Sequence, residues 1–309
     1  MELTRSEVRA LAAFLEGNAG IAGLQRALKV RQPRVSYLVE RLVEKGFLAK
    51  RRHGLRLGLE LAPTPHALKF REMYSRNPHR PYGEILSGRN LDVLQAIAYN
   101  PKETRTIARM LGVQPRAIQE RLARLSGLAL VHRAGKRYVL SPSAEEVHSF
   151  IGSLRTSLDL NGVLHWRLND EVLYSTRDEK AVQGHLTGFN EYHRHGVQVN
   201  TISYLCTTGK KPSVGELFVH SLFQIEDPRT LGLAVTFFAK NRLHPKRLAY
   251  LAEKYDVQEK LDGVLEVYRR FRELDKALPG GERLIIEARG VPRIEVQALR
   301  KQFEMYGVR

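Results

Sequence analysis

The chain repeats itself. Laid over itself at a shift of 83 residues with no gap, it superposes Leu11 on Leu94, Phe14 on Ile97, Leu24 on Ile107, Leu28 on Leu111, Val30 on Val113, Val35 on Ile118, Val39 on Leu122, Leu42 on Leu125 and Leu48 on Val131. Nine apolar matches without an insertion mark a duplicated unit, and a repeat constrains the architecture before any single motif does. Within each copy the apolar spacing (24, 28, then 35, 39, 42 in the first) keeps these side chains on one helical face. The Lys29-Val30 or Gly112-Val113 step between them has room only for a tight turn. Two short strand-like runs follow, residues 47–57 and 130–140, with Gly54 and Gly135 at the hairpin tips. Each copy is expected to run helix, helix, tight turn, helix, hairpin.

The charge is as uneven as the repeat is regular. Of 309 residues, 50 are Lys or Arg and 33 Asp or Glu, a formal net charge of +17. Residues 1–150 hold 26 basic and 13 acidic side chains, leaving 24 and 20 for residues 151–309, so the duplicated half stands at +13 and the rest at +4. A one-sided excess of this kind is the electrostatic footprint of a protein that neutralises phosphates. Hydrophobic residues at 43% supply packed cores and exclude a disordered chain. A lone cysteine, Cys206, excludes an internal disulfide framework and any zinc site built on paired cysteines, and it fits a reducing compartment. The start Met1-Glu2-Leu3-Thr4-Arg5-Ser6-Glu7 lacks the apolar core of a signal peptide, and no apolar run is long enough to span a bilayer. The first half shows neither a lipidation signal nor a basic amphipathic helix with a large apolar face. The expectation is a cytoplasmic protein without a membrane partner.

The duplicated segments resemble the winged helix-turn-helix domains of MarR-like and ArsR-like transcriptional regulators. Val30-Arg31-Gln32-Pro33-Arg34-Val35-Ser36 through Leu42-Val43-Glu44-Lys45-Gly46-Phe47-Leu48 looks like their recognition helix and its exit into the wing. The second copy departs from the pattern at Ala129, where a glycine usually precedes the wing. The resemblance covers about half the chain and speaks for a fold more than for a function. It implies DNA binding through two recognition helices and two wings.

With Val35, Leu38, Val39 and Leu42 inward, 100° per residue puts Pro33, Ser36, Tyr37, Glu40 and Arg41 on the outer face, with Arg31, Gln32 and Arg34 at its N-terminal end. Pro33 suits the first helical position, where a missing N–H costs nothing. The same construction in the second copy exposes Arg116, Gln119, Glu120 and Arg124, with Gln114 and Pro115 at the entry. Arg, Gln and Ser are the side chains that read base edges, while the wing residues Arg51, Arg52, His53, Arg56, Arg133, Lys136 and Arg137 suit phosphates or the minor groove. Against this stands the plainer reading, in which exposed arginines are only solvated and a winged helix serves protein contacts.

Between the copies, residues 64–74 read as an amphipathic helix carrying Leu68, Phe70 and Met73, followed by the turn-rich Asn77-Pro78-His79-Arg80-Pro81-Tyr82-Gly83. In the resembling regulators such a helix often serves dimerisation; here it either makes a homodimer or packs on its own domain. The pattern divides the chain into a first winged helix with its trailing helix (1–76), a linker (77–89), a second winged helix (90–152), an α+β domain (153–278) and a strand-helix extension (279–309). The third part shows strand-like runs at 162–168, 171–175 and 197–205. Helices open at Ser213, Pro228, Pro245 and Val257, and the extension reads as a strand at 284–288 and a helix from Pro292. The overall expectation is an α+β chain with two tandem winged helices.

Leu186-Thr187-Gly188-Phe189, Tyr192 to Val197 and Ser213 to Leu222 give a short resemblance to the C-terminal domain of AbiEi-type antitoxins and their nucleotidyltransferase-like relatives. The Asp-x-Asp that such transferases need for Mg²⁺ is absent, as is a phosphate-binding glycine loop, since Pro212 stands where Gly209-Lys210-Lys211 would need a hydroxyl. Two clusters invite chemistry: Asp170, Asp178 and Lys180 as a nuclease-like set, and His185, His193, His195 and Cys206 as metal ligands. For both, ordinary surface or core roles are commoner. No motif asks for a cofactor, a metal or a catalytic residue. The reading is a sequence-specific regulator that binds double-stranded DNA and is not an enzyme, with a protein partner or small-molecule effector at the C-terminal domain. The rivals are a nucleic-acid processing enzyme, nuclease or nucleotidyltransferase-like, and an antitoxin-type partner-binding protein.

Overall fold

A computed structural model describes residues 2–18, 20–53, 56–98, 100–155, 161–277 and 284–308, with the side chains of residues 52, 53, 56, 57 and 155 outside that description. Helices and small antiparallel sheets divide into two compact units, Met1–Asp159 with Leu168–Asp170, and Leu160–Arg167 with Glu171–Arg309.

In the first unit the duplication is physical. Helices Arg5–Leu15, Ile21–Leu28 and Gln32–Glu44 recur as Gly88–Ile97, Thr104–Met110 and Pro115–Gly127, the third helices at the same shift of 83 that the apolar matches gave. Thr4 opens the first helix with a capping box, accepting from the Glu7 amide while the Glu7 carboxylate accepts from its own. The third helix of copy one starts at Gln32, one residue ahead of the Pro33 start that the sequence suggests, and that of copy two starts at Pro115. All nine matched pairs except Phe14, Leu28, Val30 and Val113 are fully buried at both positions, and these four are packed at the rim.

Two turn positions repeat in backbone conformation although not in residue type. Lys29 has φ +55° where copy two has Gly112 at +63°, and Ala129 has φ +54° where copy one has Gly46 at +71°. Ala129 therefore keeps the backbone turn into the hairpin that its lack of a glycine put in question. Its left-handed backbone costs a residue with a Cβ about 1–2 kcal/mol. The hairpins that follow differ in length: Leu48–His53 pairs with Arg56–Leu61, but only Val131–Ala134 with Arg137–Leu140, to whose far side Lys102–Glu103 adds a third strand.

Behind each hairpin comes a second matched pair of helices, Pro65–Arg76 and Glu145–Arg155. Buried Ala67, Phe70, Met73 and Tyr74 correspond to Val147, Phe150, Ser153 and Leu154 at a shift of 80, because the second hairpin is four residues shorter and the connection after it one residue longer. These two helices pack on each other, with Phe70 and Phe150 ring centroids 5.6 Å apart and Phe47 6.3 Å from both. The apolar face of residues 64–74, open between a homodimer and self-packing in the sequence, is thus covered at Phe70 and Met73 by its counterpart in the same chain, while Leu68 stays exposed. The stretch 77–89 is more than a linker: Tyr82–Ile85 is a helical turn whose Tyr82, Ile85 and Leu86 are buried, and Tyr82 Oη donates to the Met73 carbonyl at 3.0 Å.

The second unit holds a four-stranded sheet in the order Val163–Leu168, Glu171–Thr176, Tyr204–Thr207, His185–Leu186. Helices Val214–Ser221, Pro228–Lys240, Pro245–Tyr255 and Gln258–Ala277 follow, each near the start expected for it. The expected strand 197–205 is a strand only from Tyr204. Residues 197–203 run irregularly, after a 3₁₀ helix at Gly188–His195. In the extension, strands Ile285–Ile286 and Ile294–Glu295 pair, and the helix begins at Val296 and not at Pro292.

Replacing Ala129 by Gly is expected to raise stability by roughly 0.5–1 kcal/mol, the relieved backbone strain exceeding the entropy added to the unfolded chain, while Gly46→Ala lowers it by about 1 kcal/mol or more. In Gly46→Ala a new Cβ would also sit 3.3 Å from His66 Nε2. Urea midpoints of the two variants check this; equal shifts of one sign would contradict it.

Candidate nucleic-acid interface

The third helix of each copy turns one face inward and leaves the other bare. In copy one Val35, Leu38, Val39 and Leu42 are buried, whereas Arg31, Gln32, Pro33, Arg34, Tyr37 and Glu40 are exposed and Ser36 and Arg41 half-buried. Tyr37 leaves 53% of its surface in solvent, with the Arg34 guanidinium 5.3 Å from its ring centroid. An aromatic ring and a cation presented together in this way can stack on a base or sugar while the charge meets a phosphate. In copy two Gln114, Pro115, Arg116, Gln119, Glu120 and Arg124 are exposed around buried Ile118, Leu122 and Leu125. The expected recognition-helix residues are thus exposed except Ser36 and Arg41, which are half-buried.

Several of these cations already hold carboxylates. Arg41 Nη1 donates to Glu44 at 2.6 Å, Arg116 Nε to Glu120 at 3.3 Å, and Arg124 lies 3.9 Å from Glu84. Glu40 accepts from Lys50, which ties the helix to its hairpin. Exposed pairs are worth about 0–1 kcal/mol each, so an arriving phosphate can displace the acid. Among the described residues no carboxylate pairs with Arg31, Arg34, Lys136 or Arg137.

The hairpins present Arg51, Arg133, Lys136 and Arg137 to solvent. Arg51 donates to Glu60 at 3.0 Å, and Arg133 Nε donates to the Gly135 carbonyl at 2.8 Å, tightening that tip. Gly54 lies outside the described residues, as do the side chains of Arg52, His53 and Arg56. Exposed cations also lie off the helical-wheel construction, among them Arg26 on the second helix and Lys29 in its turn. Their proximity to Arg31 in the chain was the available signal, and a wheel drawn on the third helix alone passes over it.

The interface is held from behind by a buried ion pair. Lys45 Nζ donates to Glu7 Oε1 at 2.7 Å and Oε2 at 2.8 Å, and to the Glu2 carbonyl at 2.7 Å. Burial pushes the Glu7 carboxyl up, but the hydrogen bonds from Lys45 and Thr4 outweigh it and hold the carboxyl below its ordinary value. Copy two replaces this pair by a different one: Asn90, at the position of Glu7, accepts from Arg121 at 3.2 Å. Arg121 is thereby turned away from the outer face.

In the second unit, a cleft of about 240 Å³ is lined by His165, Ser175, Phe189, Phe223, Thr230 and Leu233 among others. His165 Nε2 and Ser175 Oγ are 2.9 Å apart, and burial, with Lys260 nearby, holds the imidazole below its ordinary pKa, favouring the neutral ring. A half-apolar cleft with a few fixed polar groups suits a small organic molecule. Nothing in the sequence pattern marked it, because its walls come from residues 165 to 233 and meet only on folding.

Of the two invitations to chemistry, the histidine and cysteine set does not assemble into a metal site among the described residues. Cys206 is fully buried in the sheet beside Val172 and Tyr174, while His193 is exposed with Nδ1 2.9 Å from the Asn190 carbonyl and His195 meets Phe237 edge to face. Asp178 accepts from the Lys180 amide at 2.9 Å, a turn contact. Among the described residues no group of three or more His, Cys, Asp and Glu could hold a metal ion.

Comparison of the chain with family models and with curated proteins returns no match. The geometry therefore carries the functional argument.

At one end of a sheet strand sits a part-buried polar cluster. Lys254 Nζ donates to both Glu171 oxygens at 2.8 and 2.9 Å, Tyr255 Oη donates to Glu171 at 2.7 Å, and His220 meets the Tyr255 ring edge-on at 4.5 Å. Burial drives His220 down to about 3, so the folded protein keeps it neutral where the unfolded chain takes up a proton near pH 6.5. A depressed pKa gives stability that is complete above the unfolded value and lost as pH falls toward the folded one. The second unit is expected to lose stability between about pH 6.5 and 3 with an extra slope near 1.4 kcal/mol per pH unit. Acid titration of urea stability checks this: His220→Gln should flatten the slope, and an unchanged slope would remove His220 as its source.

Proposed function

We propose that this protein is a sequence-specific, double-stranded-DNA-binding transcriptional regulator whose two repeated modules are tandem winged helix-turn-helix domains. The observation that carries the reading is the pairing, in both copies, of a bare polar and basic third-helix face with a basic hairpin immediately after it. A helix of this kind fits the major groove, and a hairpin of this kind reaches the flanking phosphates or minor groove. The charge supports it, since the +13 of residues 1–150 belongs to these modules.

The residues divide by role. Arg34, Gln32, Ser36 and Tyr37 in copy one and Arg116, Gln119 and Gln114 in copy two face base edges, with Arg31, Arg41 and Arg124 at the margins. Arg51, Arg133, Lys136 and Arg137 take phosphates, as do Arg52, His53 and Arg56 by their place in the first hairpin. Regulation then acts through the second unit, where the cleft beside His165 and Ser175 would admit a small-molecule effector. The mode of action is binding, without chemistry on the nucleic acid. No helix among the described residues is long and apolar enough to cross a membrane.

The test is affinity of the purified protein for fragmented genomic DNA near 150 mM salt, with and without Mg²⁺, reading protected sites and cut ends together. Discrete protected sites on intact DNA support the reading; Mg²⁺-dependent cleavage would replace it with an enzyme. At a protected site, Arg34→Ala or Arg116→Ala should cost about 1–3 kcal/mol and relax sequence preference at one or two base pairs. Arg137→Ala should weaken binding to every duplex alike and lower the slope of log K against log salt by about one. Uniform loss across sequences for the helix variants would remove them from base reading.

A further inference from the structure

The inference rests on the DNA-binding reading and specifies its substrate: we infer that a single chain is the DNA-reading unit, and that its target is a non-palindromic duplex element with two unlike half-sites at a fixed spacing.

A regulator with one module per chain must bring two chains together to hold two half-sites, and the symmetry of that dimer makes the site palindromic. Here the contact that would join two chains is already made within one. The trailing helices Pro65–Arg76 and Glu145–Arg155 are equivalent elements of the two copies, and they pack face to face. Ala67, Phe70 and Met73 of one and Val147, Phe150 and Ile151 of the other are buried in that contact or beside it, so these side chains are not open to a second chain.

The joint is also bridged by polar contacts. Asn77 Nδ2 donates to Glu146 at 3.0 Å across the two trailing helices' ends, Arg5 Nη2 donates to Glu84 at 2.8 Å, and the Gly88 amide donates to the Leu3 carbonyl at 2.9 Å. The Tyr82–Ile85 turn packs on the first helix, where a Cβ added at Gly83 would stand 3.1 Å from Arg9 Cγ. Residues that would form a free tether are thus bound on both sides, and the two outer faces are held at one separation.

The two faces are also unlike. Position for position, Arg34, Ser36, Tyr37 and Arg41 of copy one meet Ala117, Gln119, Glu120 and Arg124 in copy two, and the first hairpin is two residue pairs longer than the second. A cation stands against a methyl group, a hydroxyl against an amide and an exposed aromatic ring against a carboxylate, with arginine kept only at the fourth position. These groups ask for different bases, a carboxylate accepting from cytosine where an arginine donates to guanine. Identical half-sites would leave one module poorly matched.

The experiment is selection of the full chain on random duplexes, followed by mass measurement of the complex and affinity for spacing variants. The expected result is one enriched element without inverted symmetry, one chain per duplex, and a separate half of the element relaxed by Arg34→Ala and by Arg116→Ala. Inserting about half a helical turn, ~5 base pairs, between the halves should cost tenfold or more in affinity, because modules joined in this way cannot follow the rotation. An enriched inverted repeat with two chains bound overturns the inference and leaves the regulator reading intact, as does an insertion tolerated without loss. No enrichment of any sequence removes the sequence-specific reading and this inference with it.

Discussion

The packing of Phe70 on Phe150, with Phe47 against both, is the contact on which the first unit depends. It joins the trailing helix of one copy to that of the other and to the residue that opens the first hairpin. A buried aromatic ring contributes about 2–3 kcal/mol by removal from water, and its loss typically costs 3–5 kcal/mol once the cavity is counted. Few surface contacts approach that size. Placing it between the copies makes the duplication one cooperative body, and the position of each outer face follows from it.

The polar interactions behind the two faces show how duplication and divergence coexist. Glu7 with Lys45 in copy one and Asn90 with Arg121 in copy two both tie the first helix to the third-helix region, by an ion pair in one case and by an amide and a guanidinium in the other. The same freedom appears in the backbone, where Lys29 and Ala129 hold left-handed conformations that their counterparts fill with glycine. Fold geometry is retained while side chains vary.

How much could be read in advance varies with the range of the interaction. The third helices were legible to within a residue, because Pro33 and Pro115 mark their starts and Val35, Val39 and Leu42 repeat at helical spacing. The outer-face residues followed from the same wheel. The strand expected at 197–205 was not, since Val197, Val199 and Thr201 alternate with Gln198 and Asn200 as a strand would, yet only Tyr204–Thr207 finds a partner. A β pattern is a statement about pairing, and pairing depends on residues far away. The stretch 77–89 misled for the complementary reason: its prolines and glycine mark turns, and turn chemistry carries no information on whether Tyr82 and Ile85 are covered.

The sequence by itself determined the repeat, its helices and hairpins, the one-sided charge and the polar faces, because each is a local matter of periodicity, turn residues or counting. Tertiary structure alone decided that the trailing helices meet each other, that the two copies form one unit, and that His165 and Ser175 share a cleft. These are contacts between residues ten to eighty positions apart. An amphipathic face announces that it will be buried, and only the folded chain says against what.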